Sequence, residues 1–307
     1  NEIKPFLSNM TSSLNNLQLM LNNSVPNISI GSHCTKPYNC DFKNYCWDLI
    51  PEYSIFNIPG MFLKKKEDLY KNGIVKISDL PKDFKFKDKE KKFVDSYLTK
   101  SPIVDKYSIR CELDALVYPL YFLDFETYGS PIPEFDGLNP YSQYPFQFSC
   151  HILNKDGTLN HIEFLHSSTT DPRKNLIKKL ISTCSDKGTI VSYNAPFERG
   201  VINKLSKQFP NYKPELDLIN MRFWDQLIIF RKFYTDYRFK GSNSIKSVLP
   251  VLVPNLTYSD LTIQDGNQAQ IGWREMISLE DGLEKDKLFQ QLLDYCRLDT
   301  LAMVEIH

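Results

Sequence analysis

The pattern of apolar and polar positions changes near Tyr118. Upstream, apolar residues recur at helical steps or are scattered among charges. Leu14, Leu17 and Leu21 share one helical face and predict a short amphipathic helix. Residues 61–117 read as helical and strongly charged, with Lys64–Lys66 and Lys89–Lys92 as solvated charge runs. Downstream, compact apolar runs alternate with segments of helical period. Residues 118–124 carry no charge until their last position, which predicts a strand buried on both faces at the centre of a sheet. Residues 147–153 and 159–165 read as a strand pair turning at Lys155-Asp156-Gly157. Asp171 and Pro172 open a helix packed through Leu176, Ile177, Leu180 and Ile181. Residues 189–193 form a second buried strand, after which Asn194 caps a helix with Pro196 in its first turn. Residues 217–236 read as helical or mixed around Asp225, 245–249 as a short helix and 254–275 as an irregular insertion. A last helix starts near Gly282. The sum is an α/β fold, a mixed sheet flanked by helices, preceded by a smaller helical segment that contains cysteines.

Composition narrows this picture only a little. The chain has 307 residues, enough for two domains or one large domain with an appendage. Its 42% hydrophobic and 24% charged residues are ordinary for a globular protein. Lys+Arg and Asp+Glu are both 37, so any basic surface must come from uneven distribution. No apolar run reaches the length of a membrane span and no signal peptide is visible, so no membrane partner is expected. Seven cysteines, unevenly spread, argue against a secreted disulfide framework and fit a reducing cytoplasm. The chain begins at Asn1 and its final helical pattern reaches His307, so we expect a piece of a longer protein.

Two local clusters carry candidate chemistry in the first part. Cys34, Cys40 and Cys46 are evenly spaced with aromatics between them. Clustered thiolates suit zinc or an iron–sulfur cluster, both of which normally take four ligands. His33 is a fourth candidate for zinc, and a cysteine upstream of the chain would complete a [4Fe–4S] cluster. Leu69-Tyr70-Lys71-Asn72-Gly73-Ile74, followed by Ile77 and Leu80, weakly resembles a helix–hairpin–helix, whose turn amides can contact phosphates.

The second part carries acids. Asp124 and Glu126 leave the buried strand two residues apart, hence on one side. Two desolvated carboxylates repel unless cations neutralise them. Glu198 lies one turn into the helix after Asn194 and faces the carboxyl end of the sheet. On the last helix Leu288, Leu292, Tyr295, Asp299, Ala302 and Ile306 share one stripe, so Tyr295 and Asp299 point the same way.

Asp-x-Glu on a first strand, Asn-x-x-x-acid at a strand–helix junction and Tyr-x-x-x-Asp on a late helix resemble the DEDD exonuclease superfamily, the DnaQ-like branch of the ribonuclease H-like fold. The tyrosine matches its DEDDy subclass, and the histidine of the DEDDh subclass is replaced by Asp294. The second motif normally ends in Asp, whereas here Glu198 is one methylene longer. Residues 116–307 carry this resemblance. The cysteine cluster resembles the C-terminal staple of RecB-like nucleases, which implies that residues 1–60 are the end of such a domain and 61–115 a connector. The combined layout resembles an uncharacterised bacterial family that fuses the two.

The resemblance implies a 3′–5′ exonuclease of single-stranded nucleic acid, with DNA favoured, that uses two Mg²⁺ or Mn²⁺ ions. Asp124, Glu126, Glu198 and Asp299 would bind the metals and Tyr295 would orient the attacking water. Thr127, Tyr128, Asn194, Phe197 and Arg199 would contact nucleic acid, and Arg238 and Lys240 are further phosphate candidates. The upstream nuclease domain of the same protein would be a partner. The alternative is a catalytically degenerate binding or scaffolding module.

Overall fold

The computed structural model describes residues 4–307. The chain forms two compact units, divided between Lys85 and Phe86. The first contains α1 (Lys4–Leu21), α2 (Lys43–Cys46) and α3 (Leu63–Lys71). Helix α1 is the expected amphipathic one, yet Leu14, Leu17 and Leu21 are all more than half exposed. The small core of this unit is Ile55, Ile58, Met61 and Ile77, with Trp47 packed edge-on to Phe56 at 4.7 Å between ring centroids.

The helix–hairpin–helix expectation is corrected. After α3, Gly73 takes φ 78°, and the amides of Gly73 and Ile74 donate back to the carbonyls of Tyr70 and Leu69. That closure uses the donors a phosphate would need. The segment that follows, Ile77–Asp79, is a single 3₁₀ turn and not a second helix.

The second unit opens with α4 (Asp88–Thr99), β1 (Ile103–Val104) and α5 (Lys106–Asp114). The helices of the expected 61–115 connector are therefore split, with α4 and α5 on the side of the larger unit. There follow β2 (Leu120–Tyr128), β3 (Tyr144–Leu153), β4 (Leu159–Leu165), α6 (Arg173–Thr183), β5 (Thr189–Ser192), α7 (Pro196–Gln208), α8 (Lys213–Met221) and β6 (Phe223–Asp225). The rest is α9 (Leu227–Lys232), β7 (Tyr234–Thr235), α10 (Ile245–Leu252), α11 (Gly266–Ser278) and α12 (Leu283–Ile306). Strands β1 and β7 pair by themselves, antiparallel.

The main sheet has the order β4-β3-β2-β5-β6, so the first buried strand is central as expected. It runs antiparallel to β3 and parallel to β5, which is parallel to β6. The fold class is the expected one: α/β, a mixed five-stranded sheet flanked by helices, preceded by a helical segment that contains cysteines.

Alternation along β2 decides what lies on each face. Tyr121, Leu123 and Phe125 join Leu176, Ile177 and Leu180 of α6 and Val201, Ile202 and Leu205 of α7 in one core. Leu120 and Phe122 face the other way, against Met303 of α12. A third cluster, at the far end of β3, joins Tyr144 and Phe146 to Trp273 of α11 and to Leu292 and Tyr295 of α12. Gly188 lets β5 come alongside β2: its φ is 92°, and a Cβ there would collide with the Pro119 carbonyl.

Residues 254–275 are not irregular throughout. Helix α11 starts at Gly266, and the Asp265 carboxylate accepts from the amides of Asn267 and Gln268. Ala269, Gly272, Trp273, Met276 and Ile277 form its buried stripe at three- and four-residue steps. No helix among the described residues is long and apolar enough to cross a membrane.

Candidate functional site

Strand β2 continues through its acids instead of ending at them, so Asp124 and Glu126 sit inside its last turns of pleat. They occupy the side already defined by Leu120 and Phe122, the side that α12 covers. Helix α12 delivers Tyr295 and Asp299 there, one turn apart. Helix α7 starts at the carboxyl end of β5 and carries Glu198 in its first turn, 3% exposed. Asp124, Glu126, Tyr295 and Asp299 line a cleft of about 640 Å³, together with Thr127, Phe197 and Lys246.

The four acids act on one another. Burial, then the charges of Asp299, Glu126 and Glu198, push the Asp124 carboxyl well above the usual carboxylate range. Burial and the Asp299 charge push Glu126 up to about 8. Burial raises Glu198 to about 8, with the nearby charge of Asp225 adding to it. Asp299 rises to about 6 through burial, while the hydroxyls of Tyr258 and Tyr295 and the ammonium of Lys246 favour its ionised form. Such a group of carboxylates is stable at neutral pH when it is protonated or when it holds cations.

The donor set fits hard divalent cations, which prefer carboxylate oxygens. Glu198 Oε2 is buried and has no hydrogen-bond partner, the state of a ligand oxygen whose partner is a cation. Among the described residues, Asp124, Glu126 and Cys296 form a group whose possible ligand atoms all lie within 4.8 Å of one another. The Cys296 thiol lies 3.9 Å from Asp124 Oδ2, and burial pushes its pKa well up, so it stays protonated beside the acids.

A domain family matches here. The model of a domain of unknown function, DUF2779, matches residues 121–244. That span is less than half of the chain. It takes in Asp124, Glu126 and Glu198 and stops before Lys246, Tyr295 and Asp299. No curated protein matches the chain.

Not every expected contact residue faces the cleft. Thr127 and Phe197 line it, and Phe197 is 40% exposed at its rim. Tyr128 does not: its ring packs 5.6 Å from that of Trp273, under the Arg274 guanidinium. The reason is a register shift between Glu126 and Thr127, which ends simple alternation. Asn194 is not a side-chain cap. It has φ 76°, Ala195 takes the cap position, and the Asn194 amide donates to Asp225 Oδ1 at 2.9 Å. Arg199 points at α8, its Nε 3.4 Å from Asn220 Oδ1. Arg238 is held by the buried Asp236 carboxylate at 2.7 Å.

The cysteine cluster does not gather. The Cys40 amide donates to the Cys34 carbonyl at 3.0 Å, closing the loop, but the three sulfurs do not all come within 4.8 Å of one another. A single tetrahedral zinc with Zn–S bonds of about 2.3 Å needs them closer than that. Cys34 is buried, Cys40 half-buried and Cys46 exposed, all as free thiols.

Three contributors to the acid cleft escaped sequence reasoning. Tyr258, from the segment read as an insertion, donates its hydroxyl to Asp299 Oδ1 at 2.6 Å. Lys246 comes from the first turn of α10. Cys296 follows Tyr295 on α12 and comes to lie against Asp124. For Tyr258 and Lys246 no local spacing carries the signal. The stripe and cap of α11 were readable as a helix start, and the structure places Asp265 and Gly266 at the cleft wall.

Proposed function

We propose that residues 116–307 are a DnaQ-like 3′–5′ exonuclease that hydrolyses phosphodiester bonds of single-stranded nucleic acid, DNA in preference, with two Mg²⁺ or Mn²⁺ ions. The observation that carries this reading is the meeting of Asp124, Glu126 and Asp299 in one cleft at the carboxyl end of β2 and β5, with the buried Glu198 near enough for its charge to raise Asp124. These acids come from three elements far apart in the chain, and their order matches the exonuclease motifs. The central strand with its antiparallel and parallel neighbours is also what a ribonuclease H-like sheet requires.

Bound metal would supply charge stabilisation for the attacking and leaving oxygens. Asp124, Glu126, Glu198 and Asp299 would hold it. Burial and the surrounding carboxylates push the Tyr295 phenol well above its ordinary range, so it stays protonated. It is therefore a hydrogen-bonding group that orients water and not a proton acceptor. Tyr258 holds the Asp299 carboxylate by a hydrogen bond. Phe197, on the rim, offers an aromatic face for a terminal base.

Residues 1–60 we read as the end of a RecB-like nuclease domain. A [4Fe–4S] cluster on Cys34, Cys40 and Cys46 would need a fourth ligand from outside this chain.

A second reading, a degenerate module that binds strands without cutting them, is favoured by one feature. Tyr258 and Lys246 already favour the ionised form of Asp299 without any divalent ion. End-labelled single-stranded DNA and RNA, incubated with Mg²⁺, Mn²⁺ or chelator, separate the two. A metal-dependent ladder of mononucleotide steps from the 3′ end supports the enzyme. Strand binding without degradation under either metal supports the module and sinks the exonuclease.

A further inference from the structure

Lys246 is the cation of the acid cleft, and its placement is specific. Its Nζ donates to the Gln264 carbonyl at 2.6 Å. It also lies 5.5 Å from the ring centroid of Tyr258 and 5.8 Å from that of Tyr295. One carbonyl and two aromatic faces therefore fix a side chain that is otherwise flexible and entropically costly to order. Yet among the described residues no ion pair within 4.0 Å joins Nζ to a carboxylate, although Glu126 and Asp299 line the same cleft. Its charge favours the ionised forms of Glu126 and Asp299 from a distance, without an ion pair to either. The side chain is held off them, exposed to the cleft, with two of its three N–H donors uncommitted.

Charge bookkeeping in the cleft says what those donors meet. Two divalent cations would cancel the four carboxylates that hold them, but Asp265 on the cleft wall adds a further negative charge and a bound phosphodiester another, which leaves Lys246 as the lining residue of opposite sign. Charge on the phosphoryl oxygens is what a fixed ammonium stabilises, and lysine serves phosphate as a point charge.

We propose that Lys246 contacts a non-bridging phosphate oxygen of the terminal nucleotide and is the phosphate-recognising residue of this cleft. The inference rests on the nuclease reading for its place in a reaction but makes its own claim about binding. The ligand class is a nucleoside 5′-monophosphate or the phosphodiester that yields one. Discrimination is between phosphorylated and unphosphorylated nucleosides, not between bases.

Binding of thymidine 5′-monophosphate and of thymidine, measured by calorimetry with Ca²⁺ present, tests this without turnover. Wild-type protein should bind the monophosphate more tightly than thymidine. Lys246→Met should weaken monophosphate binding by about 10- to 100-fold, the worth of a charge-assisted hydrogen bond, and leave thymidine binding unchanged. Lys246→Arg should keep most of the affinity. Equal monophosphate affinity in wild type and Lys246→Met overturns the proposal, as does wild-type protein that shows no preference for the phosphate. Should Lys246→Met unfold, Lys246→Gln carries the same expectation and the same refutation. Strand degradation at full rate by Lys246→Met sinks the role of Lys246 and leaves the exonuclease standing. Lysine-dependent monophosphate binding in a protein that degrades no strand does the reverse.

Discussion

The cysteine-containing loop of the first unit and the acid cleft of the second begin as the same kind of object: clusters of metal-ligand residues. Cys34, Cys40 and Cys46 are close in sequence, yet their sulfurs do not reach the spacing of a single zinc ion's ligands. Asp124, Glu198 and Asp299 are far apart in sequence, yet each raises or feels the charge of another. Nearness along the chain is cheap and says little about direction. Convergence needs a rigid frame, and β2, α7 and α12 supply one because each is anchored by its own buried face. The loop is held by short-range backbone bonds, Cys40 N–H to the Cys34 carbonyl among them, and not by the buried face of a long strand or helix.

Four measurements would break or sharpen that contrast. The largest effect is expected from Asp124→Asn, which removes the carboxylate that feels the charges of Asp299, Glu126 and Glu198. Release of mononucleotides should fall about 1,000-fold or more, as when a charge-stabilising group is lost from an active site. The metal-free variant should melt higher than wild type, because one of several repelling buried charges is gone. An unchanged rate would remove the acid cleft from the chemistry.

Next in size is the pH dependence of stability without metal. Glu126 and Glu198 are raised to about 8 and Asp299 to about 6 in the folded protein. The unfolded chain loses those protons near pH 4, so between about pH 4.5 and pH 8 the folded state holds more protons on these groups. These carboxyls make stability fall as pH rises from about 6.5 to 8, by a melting shift on the order of 5 °C. Below about pH 6.5 the imidazoles of His151, His161, His166 and His307, whose pKa values burial lowers, act in the opposite direction. Mn²⁺ should restore stability, and more at pH 8 than at pH 5, because metal and protons compete for the same oxygens. A metal-free melting temperature that rises between about pH 6.5 and pH 8 would contradict the picture of crowded, unpaired acids.

A smaller effect is expected from Tyr258→Phe. Losing its 2.6 Å hydrogen bond removes a group that favours ionised Asp299. Mn²⁺ affinity near pH 6 should fall by about 3- to 10-fold and recover at higher pH, the range expected for a hydrogen bond to a charged group. The smallest effect belongs to the loop. Replacing Cys34, Cys40 and Cys46 together by Ser should change exonuclease rate by less than about two-fold, since none of them lines the cleft. A large loss would tie the two clusters together functionally.

Much of the fold was readable from local pattern. The uncharged run before Asp124 announced a central strand, and Lys155-Asp156-Gly157 announced the turn between β3 and β4. The Leu292–Tyr295–Asp299 stripe announced the buried face of α12. The misreadings have local physical causes. Tyr128 is an aromatic expected at a terminal nucleotide, but a register shift follows Glu126 and its ring packs on Trp273. Asn194 looked like a helix cap but is the left-handed residue before one. The second helix expected after Gly73 shrank to one turn.

Sequence by itself determined which residues carry charge, which faces are apolar, and that Asp124 and Glu126 share a side, because period-two and period-3.6 geometry are properties of the backbone. Tertiary structure decided that Glu198 and Asp299 close on that pair, that Lys246 joins them from the short helix α10, and that Tyr258 does so from a segment without a recognisable pattern. It also decided that the sulfurs of three neighbouring cysteines do not all lie within 4.8 Å of one another. The reason is one of range. Backbone periodicity orients neighbours within an element, whereas the meeting of side chains from separate elements depends on how the sheet stacks them, and no spacing along the chain encodes that distance.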